Sequence, residues 1–267
     1  MMATRALEFL DQRAWAALRF VDVIGRAVLS PVGVTGTPVI KATPNRLGLT
    51  VITHVDGFDA YEDGFASPPA NPAIGSVPVA LDVTPADSGL APRRILLALP
   101  RDAAGNNAAN ANSLFQPVDV TLLPTPGFQL TGLTAGLRVT VTRTTDGALI
   151  EGALVRLSVM PNGPEARAIT NAAGEALVVA AGLPLFSVSG PKVFGDHPAT
   201  VDVVVVPQLA RFHPLGANDV ANGAPFSDPD TLEAQPNAKA SATKAVRVAA
   251  GRTLATRLQW APPPPPP

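Results

Sequence analysis

The chain of 267 residues has no cysteine, which rules out a disulfide framework, a thiolate nucleophile and a soft-metal ligand set. Aromatic residues are scarce at 5% and charged residues at 15%, against 46% hydrophobic residues. A core must therefore be assembled from Val, Leu and Ala, and little of the chain carries the charge that keeps a segment solvated. A formal net charge of −1 leaves no basic field for a phosphate backbone, so no nucleic-acid partner is expected. No run approaches the roughly 20 apolar residues of a helical bilayer span, so no membrane insertion is expected. Met1 to Arg13 interrupts its apolar residues with Arg5, Glu8 and Asp11 and lacks the unbroken apolar core of a signal peptide. The expectation is synthesis and folding in the cytoplasm, with any later release by another route.

Motifs that carry chemistry are also missing. His54, His197 and His213 form no HExxH or paired-His arrangement. Ser76 follows Gly75 but precedes Val77 and Pro78, and Ser187 and Ser189 lack a nucleophile elbow. No Gly-rich phosphate loop is present. The one acidic cluster, Asp56, Asp59, Glu62 and Asp63, has the carboxylate density of a calcium site but not the order of an EF-hand loop. It reads as a solvated strand-to-strand loop, with calcium as the alternative. The expectation is a non-enzyme without cofactor or metal.

What is abundant is punctuation. The 29 Pro and 22 Gly break the chain into short Val- and Leu-rich runs, the pattern of many strands and turns. A weak internal repeat organises them. Leu18-Arg19 opens a run that passes Gly25 into Ala27-Val28; Leu137-Arg138 opens another that passes Asp146-Gly147 into Ala153 to Val159. Asn45 to Asp56 (NRLGLTVITHVD) resembles Asn171 to Gly182 (NAAGEALVVAAG). Arg94 to Leu99 and Thr200 to Val206 are taken as the strands that continue each copy. The first residues fit a short helix or strands around Phe9 and around Trp15 to Val23, with strands favoured. These signals predict an all-β protein of two sandwich-like modules in tandem, with long loops and a polyproline tail.

The N-terminal sandwich is placed at 1–115 and a linker at 116–131, where Pro117, Pro124 and Pro126 bracket one short strand, Val118 to Leu122. The second sandwich is placed at 132–261, with a long irregular loop at 207–241. Ala245 to Val248 and Thr253 to Trp260, joined at Gly251, read as its closing hairpin. The tail at 262–267 is all proline and cannot join a sheet.

Arg138 to Val159 (RVTVTRTTDGALIEGALVRLSV) followed by Ile169 to Leu183 (ITNAAGEALVVAAGL) resembles the carboxypeptidase-regulatory-like, or transthyretin-like, sandwich and its bacterial Ig-like relatives. Their pattern is a strand, a Gly turn, xGAxVxL and then T(D/N)xxGxAxL. The resemblance implies a spacer, an adhesin unit or a chaperone-like partner of other domains, and the sequence carries no zinc-peptidase motif. In the first half, ALRFVD…GRAV, PRRILLALPRD and SLFQPVDVTLLP are similar to proteins encoded with phage-tail-like contractile injection systems. That likeness implies a structural or adaptor component of such a particle, bound to other protein subunits. A surface- or carbohydrate-binding adhesin module is the alternative.

Trp15, Phe212, Phe226 and Trp260 are the candidate interface anchors, since aromatic residues concentrate at binding hot spots. For the two Trp the competing reading is core filling. The final stretch has no acidic residue after Glu233 but carries Lys239, Lys244, Arg247, Arg252 and Arg257. It suits either an acidic partner or the solvent face of a last strand.

Overall fold

The computed structural model describes residues 14–58, 72–104, 108–130, 132–183, 195–205, 228–234 and 241–262. In β1 (Ala16–Val21), Ala16, Leu18 and Phe20 enter a core while Arg19 faces out, the period of two of a half-buried strand. β2 (Val32–Thr37), β3 (Ile40–Pro44), β4 (Leu49–Val55), β5 (Val77–Pro85), β6 (Arg93–Leu99) and β7 (Val118–Thr121) follow. They form the sheets β3-β4-β1-β7 and β2-β5-β6. Leu18, Ile52, Leu81, Leu97 and Val120 fill the space between.

The second sandwich uses β8 (Ala135–Arg143), β9 (Leu154–Val159), β10 (Glu165–Ile169), β11 (Glu175–Ala180), β12 (His197–Val204), β13 (Ala242–Val248) and β14 (Thr253–Trp260). Its sheets are β10-β9-β12-β13 and β11-β8-β14. Val139, Val155, Leu157, Val178, Val201 and Leu258 lie between them. A five-residue helix, α1 (Pro229–Glu233), sits in the connection between β12 and β13. The all-β architecture expected from the punctuation pattern, and the Ig-like sandwich type that the resemblance implied, are both observed.

The weak repeat is a shared topology. If the strands of each sandwich are numbered one to seven, both contain the sheet four-one-seven and the sheet two-five-six. In both, strand one pairs in parallel with strand seven, Leu18 opposite Val118 and Gly136 opposite Thr253. The sandwiches differ in strand three, which joins strand four in the first copy and strand two in the second. The similarity extends to single atoms. Asn45 Oδ1 accepts from the backbone N–H of Leu47 and Leu49; Asn171 Oδ1 accepts from Ala173 and Glu175. Each turn then ends on a glycine with positive φ, Gly48 at 76° and Gly174 at 65°.

Several sequence expectations are corrected. Arg94 to Leu99 and Thr200 to Val206 are not equivalent: the first lies in strand six of its sandwich and the second largely in strand five. β5 lies outside the repeat as read from the sequence, although it buries Val79, Leu81 and Val83 in the first core. Val118 to Leu122, read as an isolated strand within a linker at 116–131, contains β7, which pairs with β1 and buries Val120. The proline at either side marks the strand's ends, not its independence. β13 and β14 do not form a hairpin: β13 pairs with β12 and β14 with β8, so the chain crosses between sheets at Gly251 (φ +72°). A strand-turn-strand pattern looks the same in sequence whether the strands pair or face one another.

Candidate interaction surfaces and the intermodule latch

Of the four aromatic residues singled out, two are core residues. Trp15 is 2% exposed and meets the Phe58 ring edge-on at 5.1 Å; Trp260 is 6% exposed and packs in the second core. With few aromatics available, each sandwich uses one Trp to fill the volume that its Val and Ala leave. Phe212 and Phe226 lie outside the described residues, as do Phe9, His213 and Lys239. Of the acidic cluster, Asp56 is exposed and its Oδ1 lies 3.0 Å from His54 Nε2. Asp59, Glu62 and Asp63 are outside the described residues, so the calcium alternative falls largely there. Among the described residues, no three His, Asp or Glu side chains are grouped to hold a metal ion. Among them also, no helix is long and apolar enough to cross a membrane.

The dominant polar arrangement is one the sequence did not show. Arg93, the first residue of β6, and Asp228, the N-cap of α1, are 135 residues apart in sequence yet paired at 2.6 Å, with side-chain exposures of 8% and 3%. The Arg93 guanidinium also donates to Asp230 at 2.5 Å and to the carbonyl of Thr121 on β7 at 2.7 Å. Asp228 accepts in addition from the backbone N–H of Asp230 and Thr231, and Pro229 sits where a helix needs no donor. Burial works against the Arg93 charge, but the hydrogen bonds and charges of Asp228 and Asp230 outweigh it and hold the guanidinium above its ordinary value. For Asp228, burial outweighs Arg93 and pushes the carboxyl up.

The other side of α1 grips the second sandwich. Arg167 on β10 pairs with Asp230 at 2.9 Å and with Glu233. Leu232 is fully buried against Leu154, Val204 and Ile169, on the outer face of the sheet that β9 and β12 share. Burying a leucine is worth roughly 1.5–3 kcal/mol. A buried ion pair adds little net stability, yet losing one partner costs roughly 3–5 kcal/mol, because it strands the other charge. The helix thus acts as a latch: its carboxylates engage both sandwiches while its one leucine is seated in the second.

The latch borders a set of clefts between the sandwiches. The larger, about 350 Å³, runs past Pro92, Pro124, Pro126, Gly152 and Ile169. A neighbouring one of about 220 Å³ is bounded by Val23, Arg93, Leu123, Arg167 and Val179. The first sandwich therefore lies against the β10 and β11 flank of the second.

The opposite flank is formed by β13 and β14, the other edge strand of each sheet. Lys244 on β13 reaches across it, donating to Thr256 Oγ1 at 2.8 Å and to the carbonyl of Arg257 on β14 at 3.4 Å. Arg247, Arg252 and Arg257 are exposed around it. The solvent-face reading of the basic stretch is the one observed for these side chains, which make that side a cationic edge.

No protein-family model matches the chain, and no curated protein matches it. Among solved structures it is similar to the shaft pilin SpaA from Lactobacillus rhamnosus GG, at 10% identity and a TM-score of 0.27, over 85% of this chain and 71% of that one. GBS52, a minor pilin of Streptococcus agalactiae, aligns at 9% identity and a TM-score of 0.24, over 94% and 99% of the two chains. The Bacillus anthracis TIE protein aligns at 10% identity and a TM-score of 0.26, over 93% of this chain and 34% of that one. At these scores the likenesses carry no argument about activity or partners.

Proposed function

We propose that the chain is a non-catalytic structural protein of adhesin type, in which two sandwiches act as one rigid unit and bind other protein subunits through exposed sheet edges. The observation that carries this reading is the latch. A spacer or adhesin stalk must hold its units in fixed relation, and here a buried ion pair across 135 residues and a buried leucine serve that purpose. Domains joined by a linker alone move relative to one another by default, so a dedicated clamp marks a shape that matters. The binding mode is edge-strand pairing or contact at the edge, which needs no cofactor. A phage-tail-like contractile particle is a second setting for the same role; its support is the likeness of the first-half phrases.

The test is sedimentation of native cells after mild lysis and lysine-reactive cross-linking, with mass spectrometry of each fraction. The expected result is the chain in a multi-subunit assembly, cross-linked to a recurring protein neighbour. Sheath and tube proteins in that fraction would select the particle setting, and a surface-anchored fraction the adhesin setting. A soluble monomer with no cross-linked neighbour overturns the proposal.

A further inference from the structure

We propose that the β13/β14 edge is a docking site for a short acidic segment of a partner protein, a choice of partner chemistry that rests on the protein-binding reading above. The argument comes from the internal repeat. In the first sandwich the corresponding edge is formed by β6 and β7, and Arg93 of strand six donates to the carbonyl of Thr121 on strand seven. Thr121 pairs with Val21, and Arg257 pairs with Thr140. Val21 and Thr142 hold the same place in strand one, bridged to Ala27 and to Leu149 respectively, so Arg257, opposite Thr140, lies two residues before the counterpart of Thr121. In the second sandwich it is Lys244 of strand six that donates to a strand-seven carbonyl, that of Arg257, two residues earlier along the strand. Each sandwich thus has a cation from strand six bridging to a carbonyl of strand seven.

The first of these edges shows what such a cation receives. Arg93 holds Asp228 and Asp230, an acidic segment supplied by a distant part of the chain. At the second edge, Lys244 is accompanied by Arg247 and Arg257, and neither arginine makes an ion pair among the described residues. Val246 and Val248 pack against the second core, as do Leu258 and Trp260, so Arg247 and Arg257 belong to the outward sets of their strands and flank the edge on its two sheets. Charge complementarity therefore selects a carboxylate-rich segment, and backbone groups on the outer sides of β13 and β14 can add hydrogen bonds to it. A phosphate or sulfate polymer would satisfy the charge but has no counterpart at the first edge.

The experiment uses the full chain and, as probe, a labelled synthetic peptide with the sequence of residues 226–235. Anisotropy titration is combined with amide chemical-shift mapping. The expected result is saturable binding that shifts β13 and β14 resonances. It should weaken at least tenfold in the double variant Arg247→Glu/Arg257→Glu and with a peptide carrying Asp228→Asn, Asp230→Asn and Glu233→Gln. The exposed control Arg46→Glu should bind as the wild type does. Unperturbed Trp260 emission verifies that the double variant is folded. No saturable binding, shifts confined to the β6/β7 edge, or equal binding of the neutral peptide overturns the proposal. So does tighter binding of heparin or duplex DNA at this edge with no peptide binding. Failure here with the chain still in its multi-subunit assembly moves the contact to another surface. A monomer without neighbours removes the protein-binding reading itself.

Discussion

Single residues divide into those whose role is local and those whose role depends on distant partners. Asn45 and Asn171 are local: each carboxamide oxygen accepts from two backbone N–H groups two and four residues on. Asn171→Ala should cost about 1–2 kcal/mol, one modest hydrogen bond each for two exposed donors. Asn171→Asp, which keeps the acceptor, should recover most of it; urea melts followed by Trp260 emission measure both. This chemistry was legible in sequence because Asn followed three positions later by Gly defines the turn without help from elsewhere. Asp228 was not legible as a structural anchor, because nothing near it in sequence signals Arg93. Its pH behaviour has a definite sign. Burial raises the folded-state carboxyl above its ordinary value, so the folded form takes up the proton before the unfolded chain does. This group's contribution therefore increases as pH falls through the window just above the ordinary carboxylate value, and is lost as pH rises through it. Hydrogen-exchange protection of the Leu232 amide, which donates to the Asp228 carbonyl at 2.8 Å, should rise on acidification there. In Asp228→Asn that slope should vanish; a fall in wild-type protection over the same window would show Arg93 attraction prevailing over burial.

At the level of elements, α1 is too short to persist alone, since helices much below about 12 residues are marginal in water. Its structure depends on its cap, its ion pairs and Leu232. Leu232→Ala should cost roughly 2–5 kcal/mol of latch stability. The amides of Leu232 and Ala234 should then exchange faster, while the β8 ladder keeps its protection. Strand identity was legible where alternation was strong, as in β1 and β9, and pairing was not. β7 looked like part of a linker because Pro117 and Pro124 bracket it, although its hydrogen bonds run to β1, about a hundred residues earlier. β13 and β14 looked like a hairpin because Gly251 joins them, although each completes a different sheet. Lys244 has a protective role at this edge, since an inward-reaching lysine discourages pairing between identical edges. Lys244→Val should therefore increase self-association of the full chain, read as a rise in light-scattering radius with concentration.

The whole molecule carries its own reporters. The sequence contains two Trp, one buried in each core, so Trp15→Phe and Trp260→Phe leave a single emission signal from one sandwich at a time. Two sandwiches joined only by a connector unfold independently, and their midpoints differ by whatever separates their intrinsic stabilities. A latch raises the stability of the weaker sandwich by the free energy of the contact, because that contact is lost when either sandwich unfolds. Arg93 belongs to the first sandwich and Leu154, Ile169 and Arg167 to the second, so α1 meets this condition. Urea midpoints read from the two single-Trp variants should therefore lie close together when the latch is intact. Adding Asp228→Ala, which strands the buried Arg93 charge, should move them apart and destabilise the first sandwich. Leu232→Ala should separate them by loosening the helix from the second sandwich, leaving the intrinsic stability of the first unchanged. Midpoints that stay together in both variants would place the coupling in the clefts along β10 and β11, and the rigid unit would then rest on that packed flank without the helix.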